Sequence, residues 1–253
     1  MSCPNLIDSF EINGKTAFFR NSYPEAERSL LGKFYASLGF SLARLLAKIT
    51  YLGQENLPTE PPYVLAPNHQ TYIDGLLVAK GLPKGHFEKF SAMIGSDLKT
   101  DHGWLGKTMQ PVSRGIEVDR HGGNPVRGLV KAYRACRAGN IMMVHPEGTR
   151  THDGLVAPLL SGASYIAIKS KVPLIPVYIE GGFEFFSRFD KWPRLKNPLT
   201  GKRCQVNIIY GPPLNPDDYE DAAALTHAIE DWLKEKEADY LQKNAGQLRR
   251  NFK

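Results

Sequence analysis

Apolar residues are dense from Leu30 to Leu52, and polar residues interrupt them at spacings of three or four. The interrupting residues are Lys33, Ser37, Ser41, Arg44 and Lys48. This spacing places them on one narrow stripe of a helix whose remaining surface is apolar. Their charges make the segment a poor transmembrane span, which needs about 20 apolar residues with few charges. The pattern predicts an amphipathic helix that either lies in a membrane interface, with its basic residues toward the headgroups, or packs against the core of the domain.

From residue 60 onward, short apolar runs alternate with helical patterns. The apolar runs predict strands over residues 63–66, 90–94, 116–118, 141–144, 174–180 and 205–210. The helical patterns fall over residues 74–80, 102–109, 124–137, 161–169 and 222–241. Such alternation is typical of an α/β fold with a mixed, partly parallel sheet flanked by helices. We therefore expect an N-terminal segment with an amphipathic helix in residues 1–56, followed by an α/β domain in residues 57–253.

The composition is that of an ordinary globular protein with a small basic excess. Hydrophobic residues make up 42% of the 253 positions and charged residues 23%, which allows a sizeable core. With 32 basic and 26 acidic residues, the net charge is +6 and favours anionic partners such as lipid headgroups or an acidic carrier protein. Because the chain carries no zinc-finger, RNP or helix-turn-helix pattern, we expect no nucleic-acid partner.

The cysteines and the first residues indicate the compartment. Cys3, Cys136 and Cys204 are odd in number, far apart and outside any paired motif, which predicts free thiols in a reducing environment. The sequence begins without the basic and then apolar pattern of a signal peptide. We therefore expect a cytoplasmic protein.

The first cluster with chemical potential is Asn68–Asp74. On a regular helix, His69 and Asp74 would point about 140° apart and would not meet. Pro67 favours a break in regular structure, so a helix that starts near Asp74 would bring its carboxylate to the imidazole. The carboxylate would then hold one ring nitrogen and leave the other to accept a hydroxyl proton, as in a serine-hydrolase triad without its serine. A His and an Asp at this spacing are nevertheless more often structural or exposed.

The second cluster, Val144–Thr151, directly follows an apolar run. Gly148 lets the backbone turn closely around a ligand, and Arg150 offers a planar fork of donors for a phosphate. The alternative is a plain turn at the end of a strand, with Glu147 and Arg150 in solvent. The cluster alone does not decide between these two interpretations.

Taken together, the two clusters resemble the lysophospholipid and glycerol-phosphate acyltransferases. That family carries an NHxxxxD motif, a second block that ends near an arginine, an EGTR block and a VPxxPV strand. The corresponding blocks occur here in the same order: Asn68–Asp74, Gly115–Arg120, Pro146–Thr151 and Val172–Val177. Four ordered blocks over roughly residues 63–180 make the resemblance specific.

The resemblance implies a role for each matched residue. His69 matches the catalytic base, which would take the proton of an acceptor hydroxyl as that hydroxyl attacks a thioester carbonyl, and Asp74 matches the acid that orients it. The residues on the acceptor side are Gly115, Arg120, Glu147, Gly148, Thr149 and Arg150, with Arg150 as the expected phosphate contact. Pro173 and Pro176 match the fourth block, which we expect to shape the acyl pocket. Residues 57–253 would then be the acyltransferase domain.

The resemblance also implies the partners: a lipid acceptor, an acyl thioester donor (acyl-CoA or acyl-ACP, as co-substrate rather than cofactor) and the membrane surface. The expected location is the inner face of the membrane, where the protein would be peripheral. No cofactor is expected. No metal is expected either, because His145, His152 and Asp153 flank the second cluster without a recognised metal spacing.

One departure from the family pattern bears on the acceptor. Many relatives carry a lysine before the second block that helps to hold phosphate, and the nearest stretch here, Gly95–Leu98, lacks it. Lys99, Lys107 or Arg114 are candidate substitutes. Alternatively, the acceptor is a lysophospholipid with a headgroup or another alcohol. A thioesterase and a non-catalytic module that binds lipid or docks a carrier protein are the remaining alternatives to a lysophosphatidate acyltransferase.

Overall fold

The computed structural model describes residues 8–12, 15–19, 29–95, 112, 114–118 and 125–244. Two short strands, β1 (Asp8–Ile12) and β2 (Lys15–Phe19), form an antiparallel hairpin. The remaining strands form one seven-stranded sheet. The helix predicted over residues 102–109 lies outside the described residues.

The amphipathic helix α1 (Leu30–Leu46) is shorter than predicted. Its first turn is capped by the Ser29 hydroxyl, which accepts the Gly32 N–H at 3.1 Å. The helix was expected to continue to Leu52, but Lys48–Leu52 instead forms strand β3. Ile49, Thr50 and Tyr51 are consecutive β-branched and aromatic residues that tolerate extended backbone, and parallel pairing with β9 fixes them as a strand. The last part of the predicted N-terminal segment therefore belongs to the sheet.

The other strands of the large sheet are β4 (Val64–Pro67), β5 (Phe90–Gly95), β6 (Ile116–Val118), β7 (Ile141–Met143), β8 (Leu174–Glu180) and β9 (Gln205–Tyr210). Their order is β3-β9-β8-β4-β7-β5-β6. Strands β8, β4, β7, β5 and β6 run parallel to one another, while β9 is antiparallel to β8 and parallel to β3. The mixed, mostly parallel sheet confirms the predicted fold class.

Helices cover both faces of this sheet. In addition to α1, they are α2 (Asp74–Lys80), α3 (His86–Lys89), α4 (Pro125–Arg137), α5 (Gly162–Ser170), α6 (Gly182–Phe186) and α7 (Ala222–Lys243). Leu65 of β4 faces a core built with α1, α2 and α6, whereas Val64 and Ala66 face a core built with α4, α5 and α7. Successive strand residues point to opposite faces, so each strand contributes to both cores.

The fourth sequence block forms the first four residues of the interior strand β8 and the two residues before it. Leu174, Ile175 and Val177 are fully buried between the helical layers. The Pro176 carbonyl accepts the Gly211 N–H at 2.8 Å, and the Pro173 carbonyl accepts the Val64 N–H at 2.9 Å. The block therefore ties β8 to its neighbours, and its expected part in an acyl pocket stays a prediction.

Helix α1 turns its small residues inward and its large apolar residues outward. Gly32, Ala36 and Ala43 are buried against the domain. The exposed side includes Leu31, Phe34, Leu38, Leu42 and Leu45, and Phe34 and Leu45 are 60% and 71% exposed. Among the helices in the described ranges, none has both the length and the apolarity needed to cross a bilayer. The helix thus packs on the core through one side and presents a row of large apolar side chains on the other.

Candidate active site

The loop between β4 and α2 carries the first sequence cluster. Strand β4 ends at Pro67, and α2 begins at Asp74. Asn68 fixes the start of the loop to β8, because its side-chain amide accepts the Ile179 N–H at 2.7 Å and donates to the Ile179 carbonyl at 3.3 Å. His69 therefore leaves the sheet from a fixed point at the carboxyl ends of the parallel strands.

His69 and Asp74 meet across this loop. Nδ1 of His69 lies 2.9 Å from Oδ2 of Asp74. The Asp74 carboxylate also accepts the N–H groups of Gln70, at 2.7 Å, and Thr71, at 3.0 Å, together with the Thr71 hydroxyl at 2.7 Å. Since a carboxylate only accepts, the ring proton belongs on Nδ1 and leaves Nε2 of His69 as the unprotonated nitrogen.

Burial and hydrogen bonding act in opposite directions on Asp74. Its side chain is 1% exposed, and loss of solvation raises the pKa of the carboxyl above its usual value. The hydrogen bonds from Thr71 and Gln70 oppose this rise because they favour the ionised form. His69 keeps 15% of its side chain exposed, so its ring connects the buried carboxylate to the surface.

His145 lies flat against the His69 ring. The two centroids are 3.7 Å apart and the planes are 11° from parallel. Nδ1 of His145 lies 3.2 Å from the carbonyls of both Pro67 and Asn68, and these can only accept. Burial, followed by the nearby His69, lowers the pKa of His145 to about 3. His145 is therefore neutral near pH 7 and supports the His69 ring without competing for a proton.

Glu147 holds the backbone around His69. Its Oε1 accepts the His69 N–H at 2.8 Å, and its Oε2 accepts the Ala157 N–H at 3.1 Å. The His69 carbonyl in turn accepts the Thr151 N–H at 2.8 Å. Glu147 is buried, and burial raises its pKa to about 7. Both carboxylate oxygens thus accept backbone amides beside the expected base, and the contact of Glu147 with the acceptor stays a prediction.

The rest of the second cluster forms a tight turn after β7. Gly148 has a φ of +70°, which favours glycine, and a Cβ there would meet Leu160 at 3.0 Å. Thr149 is exposed at the tip of the turn. Thr151 is buried, and its hydroxyl donates to the Leu155 carbonyl at 2.8 Å. The turn thus brings Gly148 and Thr149 beside the His69 loop, and Thr151 is a positioning residue that the sequence did not single out.

Arg150 stacks on Tyr72 of the His69 loop. Its Cζ lies 3.3 Å from the centroid of the Tyr72 ring, within the range of a strong cation–π contact. Nη1 of Arg150 is buried and makes no hydrogen bond to any residue that the structure describes. Arg188 lies close by and donates to the Arg150 carbonyl at 2.9 Å and to Nε2 of His152 at 2.8 Å. Tyr72 and Arg188 carried no sequence signal, because one lies in the variable part of the motif and the other lies 38 residues downstream of Arg150.

The described part of the second sequence block, residues 115–118, lies away from this cluster. Gly115 directly precedes β6, which lies three strands from β4 in the sheet, or about 14 Å away. Arg120 lies outside the described residues, as do Lys99 and Lys107. Arg114 makes other contacts, because its Nη1 donates to the Glu88 carbonyl at 2.7 Å and to Oδ1 of Asn140 at 3.1 Å.

Within the described part of the chain, His69, Asp74 and His145 have ligand-type atoms within 4.8 Å of one another. Several of those atoms are already used. Asp74 accepts hydrogen bonds from three groups in addition to the His69 contact, and Nδ1 of His145 faces two carbonyls. The donor set fits a proton-transfer pair better than a metal centre, since a metal would have to displace these bonds.

Comparison with known proteins places this site in a family. A model of the family described as Acyltransferase matches residues 48–180, which are 133 of the 253 residues. A 1-acyl-sn-glycerol-3-phosphate acyltransferase of Bacillus subtilis (strain 168) is 28% identical over 216 residues, covering 81% of this chain and 96% of that protein. The 1-acyl-sn-glycerol-3-phosphate acyltransferase alpha of Ovis aries is 26% identical over 213 residues, covering 79% and 69% respectively.

The fold also has a counterpart among solved structures. The crystal structure of the 1-acyl-sn-glycerophosphate (LPA) acyltransferase, PlsC, from Thermotoga maritima superposes with a TM-score of 0.65. The match covers 81% of this chain and 77% of that one, at 22% sequence identity. At that identity the likeness establishes the fold alone.

The raised pKa of Glu147 predicts a pH-dependent loss of stability. Between pH about 4.5 and about 7, the unfolded chain ionises this residue while the folded protein keeps it protonated, so the free energy of unfolding falls as pH rises. By pH 8 the loss reaches on the order of 3 kcal/mol. Glu147→Gln removes this contribution and keeps an acceptor for one of the two amides. Thermal unfolding from pH 4.5 to 8 should show a shallower decline for the variant, and parallel curves would contradict the assignment.

Proposed function

The chain belongs to the acyltransferase family, and from this premise we propose that it transfers a fatty acyl group from an acyl thioester to a hydroxyl of a lysophosphatidate-like acceptor. Phospholipid biosynthesis is the process that such a reaction serves. The relatives described above carry the name of this activity, and they are similar to this chain over most of its length. The observation that supports the proposal most strongly is the His69–Asp74 pair, in which Nδ1 of His69 lies 2.9 Å from Oδ2 of the buried Asp74 carboxylate.

The proposed chemistry needs one base and no covalent enzyme intermediate. Nε2 of His69 takes the proton of the acceptor hydroxyl as the oxygen attacks the thioester carbonyl carbon. The tetrahedral intermediate then collapses, the carbon–sulfur bond breaks, and the leaving thiolate takes the proton back from the imidazolium. The products are the ester and the free thiol, and His69 returns to its starting state.

Asp74 has two functions in this proposal. It fixes the tautomer of His69, and its negative charge stabilises the imidazolium that forms during attack. The hydrogen bonds from Gln70 and Thr71 keep the carboxylate in place when the charge on His69 changes. Glu147 contributes indirectly, because it positions the backbone of His69.

Arg150 is the proposed contact for the acceptor phosphate. Its guanidinium is held flat by Tyr72, and its buried Nη1 lacks a hydrogen-bond partner in the described structure. A planar donor group of this kind matches two phosphate oxygens at once. Gly115, Arg120, Gly148 and Thr149 remain proposed acceptor-side residues by their match to the family blocks. Because Lys99 and Lys107 lie outside the described residues, what replaces the family lysine is left to the acceptor assay.

The proposed location is the cytoplasmic face of the membrane, where the protein is peripheral. The exposed apolar row on α1 fits the acyl region of a bilayer interface, and Lys33 and Arg44 belong to the polar stripe of the same helix. In this arrangement residues 1–56 supply membrane contact and residues 57–253 form the acyltransferase domain, although β3 belongs to the sheet. Acyl-CoA or acyl-ACP serves as donor, and neither a cofactor nor a metal nor a nucleic acid takes part.

Replacing the base tests the chemistry. His69→Ala should lower the rate of acyl transfer by about 10²- to 10⁴-fold, because the acceptor hydroxyl loses its proton acceptor. Transfer is measured from labelled acyl-CoA and acyl-ACP to glycerol 3-phosphate, lysophosphatidate, a headgroup-bearing lysophospholipid and plain glycerol. His227→Ala, at an exposed position on α7, is the matched control and should retain full activity.

The panel also separates the alternatives. His69-dependent acyl release without an added acceptor would identify a thioesterase, and preference for another acceptor would redefine the substrate. A His69→Ala variant within a few-fold of wild type would contradict the mechanism. Failure of every donor and acceptor pair would favour a non-catalytic lipid-binding or carrier-docking module.

Arg150→Ala should act on phosphate recognition rather than on the chemical step. Loss of a charge-assisted contact predicts an increase in KM of about 10- to 100-fold for lysophosphatidate, with a much smaller effect for an uncharged alcohol acceptor. Arg137→Ala, exposed at the end of α4, is the control for loss of a basic residue. Equal losses for phosphorylated and unphosphorylated acceptors would show that Arg150 does not read the phosphate.

A further inference from the structure

The loop between α6 and β9, residues 187–203, carries most of the excess charge of the chain. It contains six Lys or Arg residues and one Asp, so its net charge is +5, whereas the whole chain has +6. The six basic residues are Arg188, Lys191, Arg194, Lys196, Lys202 and Arg203. The 187–203 loop is therefore a concentrated basic region in a chain that is nearly neutral elsewhere.

The same loop exposes three large apolar side chains. Phe189 is 65% exposed, Trp192 is 72% exposed, and Leu195 is 63% exposed. Apolar side chains exposed singly are common on protein surfaces, but these three lie within seven residues of the sequence, and aromatic residues are favoured at the boundary between lipid and water. Alternating basic and apolar side chains are the composition of a segment that inserts shallowly into an interface.

The apolar side chains are held outward by a fixed backbone. Asp190 accepts the Ser187 N–H at 2.9 Å and the Ser187 hydroxyl at 2.7 Å, which closes a turn around Phe189. Asp190 also pairs with Arg194 at 2.7 Å, and the Arg194 N–H donates to the Phe185 carbonyl at 2.8 Å. Trp192 lies between these two anchored points, so its exposure is part of the built structure of the loop.

The loop connects α1 to the candidate active site. At one end, Nη2 of Arg203 donates to the carbonyls of Arg44, at 2.7 Å, and Leu45, at 2.9 Å, which belong to the last turn of α1. At the other end, Arg188 donates to the Arg150 carbonyl at 2.9 Å. Helices α1 and α6 pack on the same face of the sheet, so the loop extends from the layer that contains the apolar row of α1.

We propose that the 187–203 loop is a second membrane-docking surface, which fits the headgroup region of an anionic bilayer with Phe189, Trp192 and Leu195 inserted. Its net charge of +5 complements anionic lipid, and its three apolar side chains fit the acyl boundary. Together with α1, the loop would attach the protein to the bilayer at two points, one on each side of the contact between Arg203 and the last turn of α1. The arrangement places the Arg150 region beside the bilayer. The inference concerns binding alone and does not require the proposed acyl transfer.

Vesicle co-sedimentation of the full chain tests this surface. The vesicles are pure phosphatidylcholine or phosphatidylcholine with phosphatidylglycerol, and each variant is first checked for wild-type circular dichroism. The double variant Lys191→Glu/Lys196→Glu should lower partitioning onto the anionic vesicles by about tenfold or more. The double variant Phe189→Ser/Trp192→Ser should lower it by about tenfold through lost insertion.

The matched control is Arg127→Glu/Lys131→Glu, which makes the same charge change at two exposed positions of α4 on the opposite face of the sheet. It should partition within about twofold of wild type, since charges remote from the bilayer are screened. An equal loss of partitioning for the control would show that only the net charge of the protein matters, and it would overturn the proposal. Wild-type partitioning by both loop variants would also overturn it, as would binding to an acidic carrier protein in place of vesicles.

A second measurement, the quenching of tryptophan fluorescence, needs only a conservative substitution in the loop. Brominated acyl chains quench a tryptophan that inserts into the bilayer, so tryptophan fluorescence of the wild type should fall on anionic brominated vesicles. Trp192→Phe should remove most of that quenching while partitioning stays within a few-fold, because Phe also inserts. Trp232 lies beside Gly211 on the other side of the sheet and serves as the internal reference, and the third tryptophan, Trp104, is replaced by Phe in every protein compared. Unchanged quenching in the Trp192→Phe variant would show that the loop stays outside the bilayer.

Discussion

A single buried carboxylate organises the site. Asp74 has almost no contact with solvent, and a carboxylate in that position is costly unless hydrogen bonds replace the lost water. Gln70 and Thr71 supply those bonds from the loop just before it, and the contact with His69 completes the set. Because these contacts all converge on one carboxylate, residues 69–74 fold back on themselves and His69 has a fixed orientation. Displacement of His69 away from Asp74 would leave the imidazole without the contact that orients it.

The surroundings keep that loop in register with the sheet. The order β8-β4-β7 places the ends of three parallel strands side by side, where open α/β sheets commonly bind their ligands. Asn68 ties the loop to β8, and Glu147, in the turn after β7, ties it to the other neighbour. His145 stacks against the His69 ring as a neutral imidazole. Arg150 and Arg188 then link this edge to the 187–203 loop and, through Arg203, to α1. The 187–203 loop therefore joins the candidate active site to α1 through hydrogen bonds at both of its ends.

Much of this architecture could be predicted from the sequence, because hydrophobic periodicity reports which faces are buried and ordered motifs report which residues lie at strand ends. The end of α1 could not be predicted in this way. Apolar residues continue through Ile49 and Tyr51 at helical spacing, and only pairing with β9 makes this stretch a strand. The contact between Glu147 and the His69 backbone was also inaccessible, because it joins residues 78 apart whose proximity only the sheet order creates. The stacking of Arg150 on Tyr72 and the role of Arg188 have the same origin, as does the junction of Arg203 with α1. Long-range pairings of polar groups leave no local pattern along the chain.

The proposed chemistry requires that buried Asp74 fixes the tautomer of His69, with the proton on Nδ1 and with Nε2 unprotonated. Nitrogen-15 NMR of histidine-labelled protein near pH 7.5 measures this most directly, with His69→Gln used to assign the resonances. We expect Nδ1 of His69 to carry the proton and Nε2 to lack it, and Asp74→Asn to shift the ring toward the other tautomer. A wild-type His69 protonated on Nε2, or a tautomer that Asp74→Asn leaves unchanged, would contradict it.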